Sequence, residues 1–479
     1  MKKIIIFGTG SGANNIIQEL DEEKIEIIAF SDNDIRKQGL TFHNKKIIKP
    51  EEIVNKDYDL ILIASQHVVE IFCRLKEMGI KEECIIPVYL KEALSTFKEE
   101  NLQYKLNGLY KENRGYHEKI KIALVNKGYS GYNGYPLYKK VPKDILNKYN
   151  VDIIESNEIK KLKDYDVICS SNLEGIYTNR KINIELWHGF PIKQVGFRHK
   201  SSDNLILKSL SQNYKKYTQL ICSYSEFYTT VLNSCYPAEI DRYRITGMPR
   251  NDFLFSGGGI EKLENLTYSN LKGKKCLFYM PTWRNGGKSE LDSSKFTGLF
   301  GFIDEDLDVL KKYLKRNNFV LIVKLHPYEQ KKFMDSEVFD NETIILLSDT
   351  QLEKRKIHLY ELLSCAKLII TDYSSVYFDT LLIDLPIIFT MSDYNEYSEK
   401  RGFLIDTHEI ITPGAKVYNM EGFIKEINTL FFTKDNFSED RKKLCDIVHK
   451  YKDNQSSVRV WNEIDQVITK NIDIIRLKN

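Results

Sequence analysis

Two histidines in this sequence each follow a run of apolar residues closely, and both could take part in acid–base chemistry. His188 comes directly after the run Ile182 to Trp187 and before Gly189, and His326 directly follows Phe319 to Leu325. An imidazole titrates near neutral pH, so a neutral histidine at such a position can accept a proton from a substrate. Lone histidines after strands are more often packed side chains, so the assignment depends on the residues that accompany these two.

Other loops carry the residue types that bind phosphate. Arg250 and Arg284 lie after predicted strands, and a guanidinium suits bidentate contact with phosphate. Ser374 and Ser375 precede an apolar-periodic run, so their hydroxyls and amides would lie near a helix start and form an anion pocket, with Asp379 about one turn further on. Each arginine alone could equally form a structural ion pair. Together with the two histidines, these residues favour a cleft that binds a diphosphate.

A glycine-rich turn near the N-terminus suggests a second binding site. It fits the pattern G-x-G-x-x-A through Gly8, Gly10 and Ala13, with Gly12 inside it, and Asp32 closes the next predicted strand. In dinucleotide-binding folds such a turn holds a phosphate and the acidic residue meets a ribose hydroxyl. The glycines could instead simply make a strand-to-helix turn, because the region is only about half a full dinucleotide fold. Both interpretations stay open.

The elements that must position these residues are short apolar strands alternating with helical segments. This alternation predicts an α/β fold with parallel sheets. It divides the chain into a Rossmann-like domain with a connector (1–110), a first lobe (111–258) and a second lobe (259–479), with a hinge at Ser256 to Gly259 and the connector at Lys91 to His117. The main predicted strands are Lys3–Phe7, Ile25–Phe30, Leu60–Ala64, Ile85–Val88, Lys121–Val125, Val151–Ile154, Tyr165–Cys169, Ile182–Trp187, Leu220–Ser223, Lys275–Met280, Phe319–Leu325, Thr343–Leu347, Leu368–Thr371 and Pro386–Phe389.

Composition excludes several classes of protein. The 479 residues are 42% hydrophobic and 29% charged, which excludes disorder as the main state, and the 70 basic against 67 acidic residues argue against a nucleic-acid coat protein. No apolar run approaches the roughly 20 residues of a membrane-spanning helix, and no secretory leader is visible, so we expect a cytoplasmic protein. The eight cysteines lack a CxxC pair and fit reduced thiols better than a zinc site or disulfides.

Five motifs in consistent order, between about Lys121 and Ile468, resemble the CDP-glycerol glycerophosphotransferases, which build teichoic acids and related capsule polymers on a GT-B scaffold. The motifs are Trp187-His188-Gly189, Pro249-Arg250-Asn251-Asp252, Pro281-Thr282-Trp283-Arg284, Lys324-Leu325-His326-Pro327 and Asp372-Tyr373-Ser374-Ser375. Gly131 to Pro136 resembles a first-lobe loop of that family, and Pro413-Gly414 resembles a later turn. The N-terminal hundred residues lie outside this resemblance and are more similar to small Rossmann-like domains appended to sugar-modifying enzymes.

The sequence departs from the family pattern at a few positions. Phe190 stands where a small threonine is usual, Met248 replaces an aromatic residue, and Asp453-Asn454 replaces Asp-Gly. Phe190 borders His188, so this change bears on which alcohol and which acceptor the protein uses.

The resemblance implies a two-lobed enzyme that transfers glycerol phosphate, or a related polyol phosphate, from a CDP-glycerol or CDP-ribitol type donor to a hydroxyl of a lipid-linked teichoic acid or capsule polymer, with CMP leaving. It implies that the second lobe is the nucleotide-donor lobe, with His188 as the base and His326 as a catalytic phosphate contact. The donor pocket it implies consists of Gly189, Phe190, Pro191, Arg250, Thr282, Arg284, Lys324, Leu325, Ser374, Ser375 and Asp379. No cofactor or metal is expected, and the acidic run Asp304 to Asp308 is interpreted as a solvated helix face.

A lipid-linked acceptor implies peripheral contact with the inner face of the cell membrane, and nucleic acid is not expected as a partner. The stretch Asn204 to Tyr217 combines apolar residues with lysines and could lie in the membrane interface, or it could be an ordinary lobe helix. Two other functions remain open: a GT-B glycosyltransferase that uses a nucleotide sugar in cell-surface polysaccharide synthesis, and a binding or scaffolding protein whose N-terminal domain senses nucleotide sugars.

Overall fold

The computed structural model describes residues 1–20, 23, 25–65, 67–81, 84–88, 119–175, 181–198, 214–284, 298–326, 329–330, 333, 337–405 and 408–472. The predicted connector 91–117 and most of the stretch 204–217 lie outside the described residues. Within the described part, three six-stranded sheets follow one another along the chain.

The first sheet forms a small domain and has the order β3-β4-β2-β1-β5-β6, parallel except for the antiparallel β3–β4 pair. Among the described residues, its cores contain only residues between Ile4 and Val88. Its strands are β1 Lys2–Phe7, β2 Ile25–Ser31, β3 Thr41–Phe42, β4 Lys45–Ile48, β5 Leu60–Ile63 and β6 Ile85–Pro87; its helices are α1 Ser11–Glu19, the 3₁₀ helix Pro50–Asn55 and α2 Val68–Glu77.

The second sheet is parallel throughout, in the order β12-β11-β10-β9-β7-β8. The two faces of β7 contribute to two different apolar cores, which explains why its sequence is an unbroken apolar run. The strands are β7 Lys121–Asn126, β8 Asn150–Glu155, β9 Val167–Ser170, β10 Ile182–Glu185, β11 Thr218–Ser223 and β12 Tyr243–Ile245. The helices are α3 Gly134–Lys139, α4 Lys143–Lys148, α5 Glu226–Cys235 and the 3₁₀ helices Ser156–Asp164, Gly196–Arg198, Ile240–Arg242 and Pro249–Phe255.

The third sheet repeats this design in the order β15-β14-β13-β16-β17-β18, again parallel. Its strands are β13 Lys275–Tyr279, β14 Phe319–Val323, β15 Ile344–Leu346, β16 Ala366–Thr371, β17 Ile387–Thr390 and β18 Ala415–Val417. Its helices are α6 Gly259–Thr267, α7 Leu307–Arg316, α8 Asp349–Arg355, α9 Leu359–Leu363, α10 Val376–Thr380, the 3₁₀ helix Leu381–Ile383, α11 Tyr394–Lys400, α12 His408–Ile411 and α13 Met420–Phe432.

The chain ends with α14 Ser438–Val448 and α15 Ser456–Lys470, and α15 packs against the first lobe. The indole nitrogen of Trp461 donates to the Leu137 carbonyl at 3.1 Å, and the amides of Ser456 and Ser457 donate to Asp252 at 2.9 Å. Residues 456–470 follow the second lobe in sequence and add to the core of the first. The domain limits 1–110, 111–258 and 259–479 remain a prediction.

The predicted strands are confirmed to within a residue or two, and the α/β class is confirmed. The unpredicted strands β3, β4, β12 and β18 are only two to four residues long, and three of them lie at sheet edges. Short edge strands alternate polar and apolar residues over too few positions to give a periodic signal.

Candidate active site

The carboxyl edges of the second and third sheets face each other, and they bring together the two sets of predicted site residues. His188 and Gly189 follow β10, whereas Ser375 follows β16 in the other lobe. A Cβ atom on Gly189, whose φ is +148°, would lie only 2.8 Å from the Ser375 hydroxyl oxygen. Only glycine fits this approach, so the loop that carries His188 is in direct contact with the serine loop.

The imidazole of His188 is held in the form that a general base needs. Its Nδ1 lies 2.8 Å from the carbonyl oxygen of Ser171, so Nδ1 carries the proton and Nε2 keeps a lone pair. The pKa of His188 is lowered to about 4, mainly by burial and in part by the cations Arg250 and Lys127, against the opposing effect of the Ser171 carbonyl. His188 is therefore neutral at neutral pH, and no residue in the described ranges pairs with Nε2.

Asn133, in the loop Gly131 to Pro136, fixes the backbone around His188. Its side-chain amide donates to the carbonyls of Leu186 at 3.3 Å and Trp187 at 2.7 Å, and its own backbone amide donates to the Ser171 hydroxyl at 3.1 Å. Asn133 is fully buried, so these bonds are shielded from water. The side chain of Asn133 therefore supports the backbone next to His188 and does not face the cleft.

Arg250 contacts the backbone of His188 and forms an ion pair with Asp379 of the other lobe. Its Nη2 donates to Asp379 Oδ2 at 2.5 Å, and its Nη1 donates to the carbonyls of Gly131 and His188. Tyr360 also donates to Asp379, at 2.5 Å. Both side chains of the ion pair are almost fully buried. In this structure the Nη groups of Arg250 contact protein acceptors, so the donor contacts expected of Arg250 and Asp379 remain predictions.

Arg284 joins the two loops that carry Thr282 and Ser374. Its Nη1 donates to Asp372 at 2.6 Å, and its Nε and Nη2 donate to the two oxygens of Asp393 at 2.6 and 3.1 Å. Asp372 in turn accepts from the amides of Thr282 at 2.8 Å and Ser374 at 3.2 Å. Arg284 is buried, and its contacts hold this edge of the second lobe in shape.

Lys324 and His326 extend the edge after β14. Lys324 Nζ donates to Asp349 Oδ2 at 2.9 Å, whereas the ring of His326 stacks on Trp283 with ring centroids 5.1 Å apart. Partial burial lowers the pKa of His326, and the nearby Lys324 cation lowers it further, so its ring is mainly neutral at neutral pH.

The two serine hydroxyls are available to a ligand. Ser374 and Ser375 are half-buried, and among the described residues neither hydroxyl has a hydrogen-bond partner. Ser375 precedes α10 as predicted, and Asp379 lies inside that helix.

Lys193 is a cleft residue to which the sequence analysis assigned no role. Its Nζ donates to Thr282 Oγ1 of the other lobe at 3.2 Å, and no carboxylate in the described part of the chain lies within ion-pair distance of it. Burial lowers the pKa of Lys193 to about 7, with Arg401 and Arg284 adding to the effect and Asp372 opposing it. The sequence signal that could have identified Lys193 is its position in the same loop as His188, five residues further on.

Three expected donor contacts have buried side chains. Phe190 is 3% exposed and stacks on Phe378 with centroids 4.1 Å apart, Pro191 is buried, and Leu325 is 2% exposed in the second-lobe core. A donor in the cleft would meet these residues through their backbone. The large side chain of Phe190 is thus accommodated by the core and not by the space in front of His188.

The N-terminal glycine turn adopts the predicted strand-to-helix geometry. Gly8 has φ +109°, and a Cβ atom there would lie 2.9 Å from the Ala64 carbonyl oxygen, whereas Gly10 borders open space and precedes α1. Asp32 accepts hydrogen bonds from the amide and hydroxyl of Thr9 at 3.1 and 2.5 Å. Burial opposes ionisation of Asp32, but the Thr9 hydroxyl and other hydrogen bonds lower its pKa overall. Its carboxylate therefore stabilises the turn, and the expected ribose contact remains a prediction.

The acidic run Asp304 to Asp308 lies only partly on the solvated helix face that was expected. Asp304 accepts from the amide of Met420 at 2.8 Å, Glu305 accepts from the amide of Leu299 at 2.7 Å, and Asp306 caps α7. Asp308 lies exposed in the first turn of α7, as expected, whereas Asp304 and Glu305 precede the helix and accept from backbone amides. Among the described residues, no group of three or more His, Cys, Asp or Glu side chains could hold a metal ion.

Residues 98–466 match the family model of CDP-glycerol:poly(glycerophosphate) glycerophosphotransferase. The chain belongs to this family. A glycerophosphotransferase of this family is a transferase of the CDP-glycerol type, which agrees with the expected enzyme class. Residues 1–86 match a separate model, C2185-like, N-terminal, which agrees with an appended domain.

Two relatives act in teichoic acid synthesis according to their names. This chain is 25% identical over 387 residues to the teichoic acid glycerol-phosphate primase of Bacillus subtilis (strain 168). The match covers 79% of this chain and 89% of the relative. It is 26% identical to the teichoic acid glycerol-phosphate transferase of Staphylococcus aureus (strain NCTC 8325 / PS 47), covering 60% of this chain and 71% of that one.

The fold of this glycerophosphotransferase is similar to that of the wall teichoic acid polymerase TagF. The TM-score is 0.61 at 20% identity, over 78% of this chain and 94% of that structure. This similarity confirms the two-lobed GT-B architecture. Within the described ranges no helix is both long and apolar enough to span a membrane.

Proposed function

We propose that the protein transfers glycerol phosphate, or a related polyol phosphate, from a CDP-activated donor to a hydroxyl of a lipid-linked teichoic acid or capsule polymer, and releases CMP. Membership in the CDP-glycerol family and the names of the relatives support polyol phosphate transfer in teichoic acid synthesis. The observation that carries the chemistry is the neutral His188, whose Nδ1 donates to the Ser171 carbonyl and whose Nε2 is left to accept a proton.

In the proposed reaction, Nε2 of His188 removes the proton from the acceptor hydroxyl. The acceptor oxygen forms a bond to the phosphorus that carries the polyol, and the bond from this phosphorus to the bridging oxygen breaks. The electron pair leaves with CMP, and the proton passes from His188 to solvent. General-base assistance of this kind contributes about 10²–10⁴ in rate.

The charge on the donor phosphates would be met by groups of the second lobe together with Lys193. Lys193 lacks a carboxylate partner among the described residues, and the hydroxyls of Ser374 and Ser375 are unpaired there. Lys324 and His326 lie on the same sheet edge. These groups can stabilise developing charge by fixed dipoles and cations, so we propose that no metal is needed.

Arg250, Arg284 and Asp379 have a supporting role in this proposal. Their ion pairs hold the loops of Gly131, His188, Thr282 and Ser374 at the distances described above. A lipid-linked acceptor also requires the protein to reach the membrane surface, which we propose it does as a peripheral protein. Of the candidate stretch 204–217, only Tyr214 to Tyr217 lie within the described residues, and Tyr214 is buried in the first-lobe core.

The test is CMP release from CDP-glycerol and CDP-ribitol with a polyol phosphate-primed acceptor, for the wild type and His188→Ala. We expect turnover to fall by about 10²–10⁴ in the variant while donor affinity is largely kept. Near-normal turnover in His188→Ala would contradict its role as the base. Parallel reactions with UDP-sugars test the glycosyltransferase alternative, which would be preferred if only those donors react; reaction with neither class would favour a binding protein.

A further inference from the structure

Glu185, the last residue of β10, accepts three hydrogen bonds in the interior of the first lobe. Its Oε1 accepts from the amide of Trp187 at 2.9 Å, and its Oε2 accepts from the amide of Leu173 and the hydroxyl of Ser170, both at 2.9 Å. The residue is 1% exposed. One carboxyl group thus connects the loop after β9 to the loop after β10.

Both amides bound by Glu185 belong to residues with a strained backbone. Trp187 has φ +54° and Leu173 has φ +62°, values that side-chain-bearing residues adopt rarely. Such conformations persist only where the surroundings hold them, and they concentrate at functional sites. Here the same carboxyl group holds both.

These two loops carry the two partners of the His188 hydrogen bond. Trp187 directly precedes His188, whereas Ser171 lies two residues before Leu173 and supplies the carbonyl that binds His188 Nδ1 at 2.8 Å. Moving either loop would change the distance between the imidazole and its acceptor. The position and the tautomer of the imidazole therefore depend on how the two loops are joined.

We propose that Glu185 is a positioning residue for the transfer reaction: by holding Trp187 and Leu173, it fixes the Ser171 carbonyl against His188 Nδ1 and so keeps Nε2 unprotonated and aimed at the cleft. This inference rests on the proposed role of His188 as the base. Glu185 lies outside every motif that the sequence predicted to carry function.

The protonation of Glu185 is compatible with this role. Burial raises the pKa of Glu185 to about 8, with the nearby Glu174 adding to the effect and the three donors opposing it. The amides of Trp187 and Leu173 each need an acceptor oxygen in either state. The hydroxyl of Ser170 can reverse its direction and accept if the carboxyl group is protonated.

The decisive variant is Glu185→Gln, which keeps the size of the side chain and removes one acceptor oxygen. Its amide nitrogen must then face a backbone N–H, either of Trp187 or of Leu173, and that loop is released. Asp166→Asn is the matched control. Asp166 is also buried, and its carboxylate accepts from the backbone amide of Lys121 at 2.9 Å. It directly precedes β9, so it lies at the amino ends of the strands, whereas Glu185 lies at their carboxyl ends.

Two readouts separate positioning from general stability. In ¹⁵N NMR of the full chain, with the His188 signal assigned by its loss in His188→Gln, the wild type and Asp166→Asn should show a protonated Nδ1 and a bare Nε2. Glu185→Gln should show a mixture of tautomers. We also expect kcat to fall by about 10- to 100-fold, as for a small misplacement of a catalytic group, with the donor KM changed less than about twofold.

An unchanged His188 tautomer and an unchanged kcat in folded Glu185→Gln would overturn the proposal. If that variant does not fold, Glu185→Asp, which keeps the carboxyl group but shortens its reach, is measured instead. The wild-type tautomer and kcat in that variant would overturn the proposal in the same way. The NMR measurement needs no substrate, so it distinguishes a failure of this inference from a failure of the proposed reaction.

Discussion

Arg250 of the first lobe and Asp379 of the second form a buried ion pair, with Nη2 2.5 Å from Oδ2. The same guanidinium donates to the His188 carbonyl at 2.6 Å. The pair therefore connects the two lobes at the point where the candidate base is held, and it links the fold to the site.

We expect Arg250→Ala to destabilise the folded protein by about 3–5 kcal/mol, because removing one partner leaves Asp379 buried without its charge partner. The free energy of unfolding is to be measured in denaturant for Arg250→Ala, Asp379→Asn and the double variant. The double variant should lose less than the sum of the two single losses. Strictly additive losses would show that the two side chains act independently.

Turnover should persist in a strong chelator, because Lys193, Lys324 and the hydroxyls of Ser374 and Ser375 can meet the donor phosphates. Donor affinity is to be measured by calorimetry with EDTA present. Ser374→Ala with Ser375→Ala should weaken it, and Lys193→Met should weaken it more, since a charged hydrogen bond is worth about 1.5–3 kcal/mol against about 1 for a neutral one. Loss of turnover in EDTA that Mg²⁺ or Mn²⁺ restores would show that a metal neutralises the phosphates.

Deleting residues 1–110 should leave a folded two-lobed protein that still releases CMP. Within the described ranges, the cores of the first sheet contain only residues between Ile4 and Val88, so the deletion removes these hydrophobic clusters whole. Circular dichroism checks folding, and CMP release checks activity. A soluble but inactive truncated protein, with donor and acceptor both supplied, would place the N-terminal domain within the catalytic unit.

His358 should make stability depend on pH below neutrality. It is fully buried, and its Nε2 lies 3.2 Å from the carbonyl oxygen of Tyr132 in the other lobe. The pKa of His358 is lowered to about 3, mainly by burial and in part by Arg250. The unfolded chain, with a histidine pKa near 6.5, binds a proton that the folded protein does not, so stability falls as pH drops from about 6.5 towards 3.

Well inside this pH range, the free energy of unfolding that His358 contributes falls by about 1.4 kcal/mol per pH unit. Urea unfolding at several pH values is to be compared between the wild type and His358→Gln. The other histidines contribute to both proteins, so the variant should show the shallower slope. If the free energy of unfolding depended on pH equally in the two proteins, His358 would take up no proton on unfolding.

The positions of most strands could be predicted from the sequence because parallel strands covered on both faces are short, continuous apolar runs. β7 and β13 are examples, since each coincides with a predicted strand. The grouping of His188, Ser375 and Lys324 at strand ends followed from the same pattern, because the carboxyl ends of parallel strands share one edge of a sheet.

The sequence by itself thus determined the α/β class, the three successive sheets and the loops in which the chemistry lies. Only the tertiary structure decided which charged groups are paired. Arg250 and Lys193 are both basic residues in segments that follow strands, yet Arg250 is paired with an aspartate 129 residues away, whereas Lys193 contacts Thr282. Ion pairs and hydrogen bonds depend on distances of a few ångströms between distant segments, and local periodicity carries no information about those distances. The connection from Glu185 to Leu173 and Trp187 was decided in the same way, by two loops that meet only after the sheet has formed.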